Sequence, residues 1–97
     1  MFEIRFSRDA LDDIRELRKA DQQRAISGIE AELSHEPTEP TRNRKRLRPN
    51  RLAEWELRIG ALRVFYDVDA STGTVKIVAC GRKQRNRLMI RGREWQL

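Results

Sequence analysis

Arg58 and Arg63 stand symmetrically about Gly60-Ala61 in the stretch "RLAEWELRIGALRVFYDVD". If the two runs pair as a hairpin with glycine first in a two-residue turn, Arg58 faces Arg63. Ile59 then faces Leu62, Leu57 faces Val64 and Trp55 faces Tyr66. Like charges placed directly opposite destabilise a strand pair, so the arrangement asks for a compensating role. Two further basic clusters lie in the same half of the chain. One is "RNRKRLRPNR", with Arg42, Arg44, Lys45, Arg46, Arg48 and Arg51; the other is "GRKQRNRLMIRGR", with Arg82, Lys83, Arg85, Arg87, Arg91 and Arg93. Guanidinium groups hold phosphate by bidentate, charge-assisted hydrogen bonds. One cluster precedes the first hairpin strand and the other follows the strand paired to its second. In an antiparallel sheet both are expected to converge on the Arg58/Arg63 face. The chemistry this offers is polyanion binding and stabilisation of charge developing on phosphate.

Other groups offer less. Glu54 and Glu56 share the expected arginine face, where Glu56 can relieve the repulsion as a surface ion pair or either carboxylate can act as a general base. His35, beside Glu36-Pro37, reads as a helix-end residue interacting with the dipole. Cys80 reads as a small core or sheet residue, and Trp95 as cover for a sheet edge or an anchor for a partner. One cysteine and one histidine argue against a zinc site. There is no P-loop, dinucleotide fingerprint or nucleophile motif, so no cofactor is expected.

The elements that position these residues follow from periodicity. Side chains alternate along a strand, so Trp55, Leu57, Ile59, Leu62, Val64, Tyr66 and Val68 share one face, the core beneath the helices. Glu54, Glu56, Arg58, Arg63, Phe65 and Asp67 share the other, solvated face. "FEIRF" (2–6) alternates as a short strand. Ser7 then caps a helix with Asp9 in its first turn and a stripe of Ala10, Ile14 and Leu17, with Leu11 beside them. Asp21 is expected to cap a second helix, with the stripe Ala25, Ile26, Ile29 and Leu33, ended by Pro37. The stretch 36–50 reads as a loop. Strands are expected at about 53–59, 62–68 and 74–80, with a last extended run at about 87–91. The fold class is α+β, one domain over residues 1–97. The N-terminal strand and an antiparallel helical hairpin pack on one face of a curved, mostly antiparallel sheet.

Charge is unevenly distributed along the chain. Residues 1–41 hold six Lys/Arg and ten Asp/Glu, a balance of −4, whereas residues 42–97 hold fifteen and five, a balance of +10. That asymmetry points to a nucleic acid or an acidic protein segment as partner. No apolar run approaches membrane-spanning length, and "MFEIRFSRD" reads as neither a signal nor a transit peptide. With its lone cysteine, the chain is expected in the reducing cytoplasm, away from membranes.

Taken together, the pattern resembles the RelE/ParE superfamily of toxins from bacterial type II toxin–antitoxin systems. The resemblance runs from the opening strand and "RDALDDIRELRKADQQRAISGIEAEL" through "WELRIGALRVFYDVD", its most specific piece, to "VKIVACGRKQRNRLMIRG". It implies a cognate antitoxin as partner and one of two activities. RelE-like members cut mRNA in the ribosomal A site, and ParE-like members poison DNA gyrase without cutting RNA. Arg63 matches the arginine opening the family's "YRxxY" strand, Tyr66 its closing tyrosine, and Arg82 and Lys83 the basic pair after the next strand. Glu54 and Glu56 stand where ribosome-dependent members carry lysines, and Met89 where they carry a tyrosine. The leading expectation is a ribosome-dependent mRNA endonuclease with ribosome and mRNA as partners. Its catalytic set is Arg63, Arg82, Lys83 and Arg58, and Lys45, Arg46, Arg48, Arg51, Arg85 and Arg87 bind the nucleic acid. The alternatives are a gyrase inhibitor and a degenerate toxin fold kept as a binding module.

Overall fold

Ser7 joins the first strand to the first helix. In the computed structural model, which describes residues 1–97, strand β1 (Glu3–Phe6) leads through Ser7 into helix α1 (Arg8–Arg15). The Ser7 hydroxyl accepts from Ala10 N at 3.0 Å and donates to Val78 O at 3.1 Å, capping the helix and tying it to the sheet. Ala10 and Ile14 are buried and Leu17 is half-buried, whereas Leu11 is exposed. One position on from Ala10 is about 100° around the helix, which takes Leu11 off the stripe.

Helix α2 (Lys19–Leu33) starts earlier than expected. Arg18 is its N-cap residue and makes no side-chain cap, while Asp21 lies buried inside the first turn instead of capping it. Three arginines, Arg18, Arg24 and Arg82, surround that carboxylate. Gln22 Nε2 donates to Arg15 O and Leu17 O, which closes the link between the helices. The helix ends at Leu33, four residues before Pro37, with Ser34 Oγ donating to Glu30 O. Ala25, Ile29 and Leu33 form its buried stripe and Ile26 is half-buried.

Six further strands follow: β2 (Arg44–Arg46), β3 (Trp55–Ile59), β4 (Leu62–Asp69), β5 (Thr74–Gln84), β6 (Arg87–Ile90) and β7 (Arg93–Trp95). They order as β2-β3-β4-β5-β6-β7, all antiparallel, while β1 runs parallel to the start of β5. β2 lies where a loop was expected. It carries no apolar residue, and it is held by pairing with β3 and by Arg44, whose guanidinium donates to Glu32 O, Glu32 Oε1 and Glu39 O. The single extended run expected at the end is two strands, turned at Arg91-Gly92, both with positive φ.

β1 and β6 share one edge of β5, pairing with residues 74–77 and 82–84 respectively. The gap between them is filled by side chains. Asp13 Oδ2 accepts from Cys80 N at 3.0 Å, and Arg91 holds the same carboxylate at 2.8 and 3.1 Å. A buried backbone N–H in a strand needs a partner, and Asp13 supplies it from α1.

The sheet has an apolar core on each face. The helix side gathers Ala10, Ile14, Ile29, Leu33, Trp55, Leu57, Val64, Tyr66, Val75, Ile77 and Cys80. On the opposite side Phe65, Ala53, Ala79, Leu88 and Ile90 form a smaller core, covered by Leu47, Leu52, Trp95 and Leu97. The outer face expected to be solvated is therefore half covered, and Phe65 is fully buried.

Candidate nucleic-acid interface

The arginine hairpin forms in the expected register. Trp55 pairs with Tyr66, Leu57 with Val64, Arg58 with Arg63 and Ile59 with Leu62. Gly60 has φ +59°, and Ala61 is not in the left-handed region, as a turn with glycine at the first central position requires. Arg58 is exposed, whereas Arg63 is only 8% exposed. The Arg63 Nη1 donates to Gly60 O at 2.7 Å and Leu62 O at 2.9 Å, so the turn itself fixes the guanidinium. Burial lowers its pKa and the charge of Arg58 lowers it further, against the opposing pull of Glu56. The group stays a cation, held next to a like charge.

A β-bulge decides which other cations join this pair. The β4–β5 register shifts between Phe65 and Tyr66: Phe65 opposes Ala79 and Tyr66 opposes Ile77, leaving Val78 as the extra residue. Val75 and Ile77 face the helices on one side of the bulge, and Cys80 and Arg82 do so beyond it. Lys83 falls on the outer face, where its backbone N donates to Ala61 O at 2.8 Å. Arg82 turns the other way and donates to Asp21 Oδ2 at 2.8 Å. The bulge therefore decides which of these two neighbours joins the arginine face: unbroken alternation from Val75 and Ile77 would have sent Arg82 outward, and the extra residue puts Lys83 there instead.

The first basic cluster divides similarly. Lys45 is on the outer face opposite Glu56, whereas Arg46 is opposite Trp55 on the helix side, its guanidinium 5.7 Å from the indole ring centre. Arg48 and Arg51 project from a loop organised by Asn50, whose Oδ1 accepts from Leu52 N and Ala53 N and whose Nδ2 donates to Arg48 O and Ala53 O. They sit at the far end of β3 from the Gly60 tip, about 15 Å along five strand residues. Arg85 occupies the β5–β6 turn with φ +50°, and Arg87 is paired with Glu94 at 3.0 Å. Only one residue of each cluster, Lys45 and Lys83, reaches the Arg58/Arg63 face. Arg58, Arg63, Lys83 and Lys45 share that face, and the other six expected site residues lie on the opposite face or at its margins.

Groups able to move a proton are sparse there. Tyr66 points into the helix-side core and donates to Pro37 O at 2.7 Å, and burial raises its pKa far above the phenol range. Cys80 is buried and its thiol is pushed up to about 12 by burial and by the charge of Asp13. His35 lies in the exposed stretch after α2. Glu54 is committed at the far end of the hairpin, where its carboxylate accepts from Val68 N and its backbone N donates to Asp67. Glu56, half-buried between Lys45 and Phe65, is the carboxylate that remains on the arginine face.

Sequence reasoning took Asp21 only as a helix cap and passed over Arg18 and Arg24. Asp21 accepts from Arg82 and also has Arg24 at 3.5 Å and Arg18 at 3.7 Å. The hydrogen bond from Arg82 and the charges of the arginines hold its carboxyl below the ordinary range, against the opposing effect of burial. The i, i+3 spacing of Arg18, Asp21 and Arg24 was visible; the approach of Arg82 from another element was not.

The geometry defines a small α+β domain with a cationic hairpin tip, and the chain belongs to the ParE toxin family. Residues 4–87 match the family model described as the ParE toxin of the type II toxin–antitoxin system parDE. The protein is therefore a toxin of a type II toxin–antitoxin system, within the RelE/ParE superfamily. Among solved structures it resembles the toxin–antitoxin complex RelBE2 from Mycobacterium tuberculosis. The identity is 27% and the TM-score 0.69, over 84% of this chain and 96% of that one. It also resembles the archaeal RelE–RelB complex from Pyrococcus horikoshii OT3 at 20% identity and a TM-score of 0.70, over 87% and 97% of the two chains. The latter likeness speaks to the fold alone. A search of curated proteins gives no match.

Proposed function

We propose that this toxin arrests growth as a ribosome-dependent mRNA endonuclease. One observation carries the reading: Arg58, Arg63 and Lys83 gather at one end of one sheet face, and none of them is in an ion pair. Attack of a ribose 2′-OH on the adjacent phosphorus forms the 2′-O–P bond as the P–O5′ bond breaks, giving a 2′,3′-cyclic phosphate and a 5′-hydroxyl that takes its proton from water. On the way it loads negative charge onto the phosphate oxygens. Donors fixed before the reaction stabilise that charge most effectively. Arg63, clamped by Gly60 O and Leu62 O, is such a donor. Glu56, the carboxylate on the arginine face, would take the 2′-OH proton. Lys45, Arg48, Arg51 and Arg85 would hold the RNA backbone on either side, while Arg46, Arg82 and Arg87, each already engaged, add to the field. Such a target places the protein in the cytoplasm. No helix in it is long and apolar enough to cross a membrane.

Purified protein added to translating ribosomes should give codon-phased mRNA ends. Arg63→Ala, checked for folding by circular dichroism, should relieve growth arrest on expression. Persistent toxicity in a folded Arg63→Ala protein would overturn the reading.

A second reading, inhibition of DNA gyrase without RNA cleavage, is favoured by the absence of any tyrosine or histidine from the arginine face. The description of the matched family, a parDE toxin, points the same way. Intact mRNA together with blocked supercoiling would select it. Under either reading the outer face calls for neutralisation by a cognate antitoxin with acidic and amphipathic segments that fold on binding. The two solved relatives are themselves complexes with antitoxins.

A further inference from the structure

Charge at the Gly60 tip continues beyond the outer face. On the helix side, the Asp21 carboxylate, 3% exposed, lies against Arg82, Arg24 and Arg18. Three cations held by one anion leave a surplus of two. Arg18 and Arg24 are the exposed members, at 84% and 56%. A guanidinium carries five N–H donors, yet Arg24 makes one side-chain hydrogen bond, at 3.5 Å, and Arg18 makes none. Most of their donors are free for another anion.

Gly60 connects this group to the outer face. A Cβ built on Gly60 would come within 2.5 Å of Arg24 Nη2, and the Gly60 carbonyl accepts from Arg63 Nη1 at 2.7 Å. One guanidinium from α2 and one from β4 therefore flank the same residue from the two sides of the sheet. The exposed large apolar side chains of the molecule are Met1 and Leu11, neither of them at the tip. A protein partner would seek an apolar anchor, whereas a phosphodiester chain needs only the cations.

The structure assigns Arg18 and Arg24 a phosphate-contacting role. They form a second subsite for an RNA backbone that crosses the Gly60-Ala61 tip from the Arg58/Arg63 face, with Asp21 as the positioning residue that spreads the guanidinium groups. The subsite rests on the RNA-directed reading above and extends it to residues from α2. It lies apart from the reacting phosphate, so its contribution is to grip and align the strand.

The test is the salt dependence of binding to a short fluorescein-labelled single-stranded RNA, read by anisotropy over a series of KCl concentrations. Each phosphate contact on a single strand contributes about 0.7 to the slope of log affinity against log salt. Arg18→Ala/Arg24→Ala should flatten that slope by about 1.4, and Arg18→Lys/Arg24→Lys should keep it. Arg5→Ala/Lys76→Ala removes the same charge at the other end of the sheet and should leave the slope unchanged. An unaltered slope in Arg18→Ala/Arg24→Ala, or an equal flattening in the distant control, overturns the subsite. Arg58→Ala/Lys83→Ala tests the parent reading separately. If that pair alone flattens the slope, the subsite falls and the RNA-directed reading stands; if neither tip pair does, both fall.

Discussion

Tyr66 shows how a residue at a suggestive position can be wholly structural. Its hydroxyl, 2.7 Å from Pro37 O, anchors the stretch after α2 to the middle of the sheet from inside the core. Tyr66→Phe should cost about 1 kcal/mol in urea unfolding and leave growth arrest intact. Loss of toxicity at unchanged stability would give the phenol a chemical role instead. Asp13 is structural in another way, partnering both Cys80 N and Arg91. Asp13→Ala strands the buried N–H and should cost about 2–3 kcal/mol, read as a lower denaturant midpoint. Asp21 makes a prediction about acid. Its folded carboxyl titrates below the ordinary 3.8, so the stability it lends is complete above that value and is lost as pH falls through the lower folded one. The melting temperature should fall with acid below about pH 4, and less steeply in Asp21→Asn. Asp69, also lowered, by its hydrogen bonds from Ser71 and Thr72, retains a share of the dependence. Identical acid profiles for the two proteins would contradict this account.

At the scale of elements, the hairpin was legible because period-two alternation and a Gly-Ala turn together fix register, and every pair from Trp55–Tyr66 to Ile59–Leu62 follows. The bulge at Val78 was not legible. An extra residue in one strand shows only against its partner, and the sequence of β5 carries no glycine or proline there to mark it. The effect of the bulge is to exchange the faces of Arg82 and Lys83, so that Lys83 and not Arg82 joins the arginine pair. β2 was hidden for a different reason: Arg44–Arg46 has no apolar residue whose alternation could reveal it. Two glycines test these elements. Gly81→Ala would bring a Cβ within 2.5 Å of the Met89 carbonyl oxygen and 2.7 Å of Ile90. The β5–β6 pair must then part, at about 1–3 kcal/mol. At Gly60 the contact is with the movable end of Arg24, so Gly60→Ala should cost only the left-handed strain of about 1–2 kcal/mol.

Across the whole molecule, the sheet separates two jobs. Its helix face is closed by α1 and α2 over the larger core, and the ion pairs of Arg44, Arg82 and Arg91 are made on that side. Its outer face is left cationic at one end and covered by Leu47, Leu52, Trp95 and Leu97 at the other. The basic balance of residues 42–97 was readable from composition, but which cations stay unpaired depended on acids brought in from α1 and α2. Removing residues 93–97 should uncover Phe65, Leu88 and Ile90, lowering the unfolding midpoint and raising binding of a hydrophobic dye. An unchanged midpoint would show that the smaller core stands without that cover.

The parallel pairing of β1 with residues 74–77 has a consequence for how the protein comes into being. Glu3–Phe6 is made first, yet its neighbour Thr74–Ile77 is made some seventy residues later. Contacts of such sequence separation are slow to form, and here they also have to wait for synthesis. Ser7, which fastens α1 to Val78 O, is bound by the same delay. So are Asp13 and Asp21, whose partners Arg91 and Arg82 lie later still. A nascent chain of this toxin therefore cannot close its β1–β5 pairing or tie α1 and α2 to the last strands until synthesis has passed Arg91.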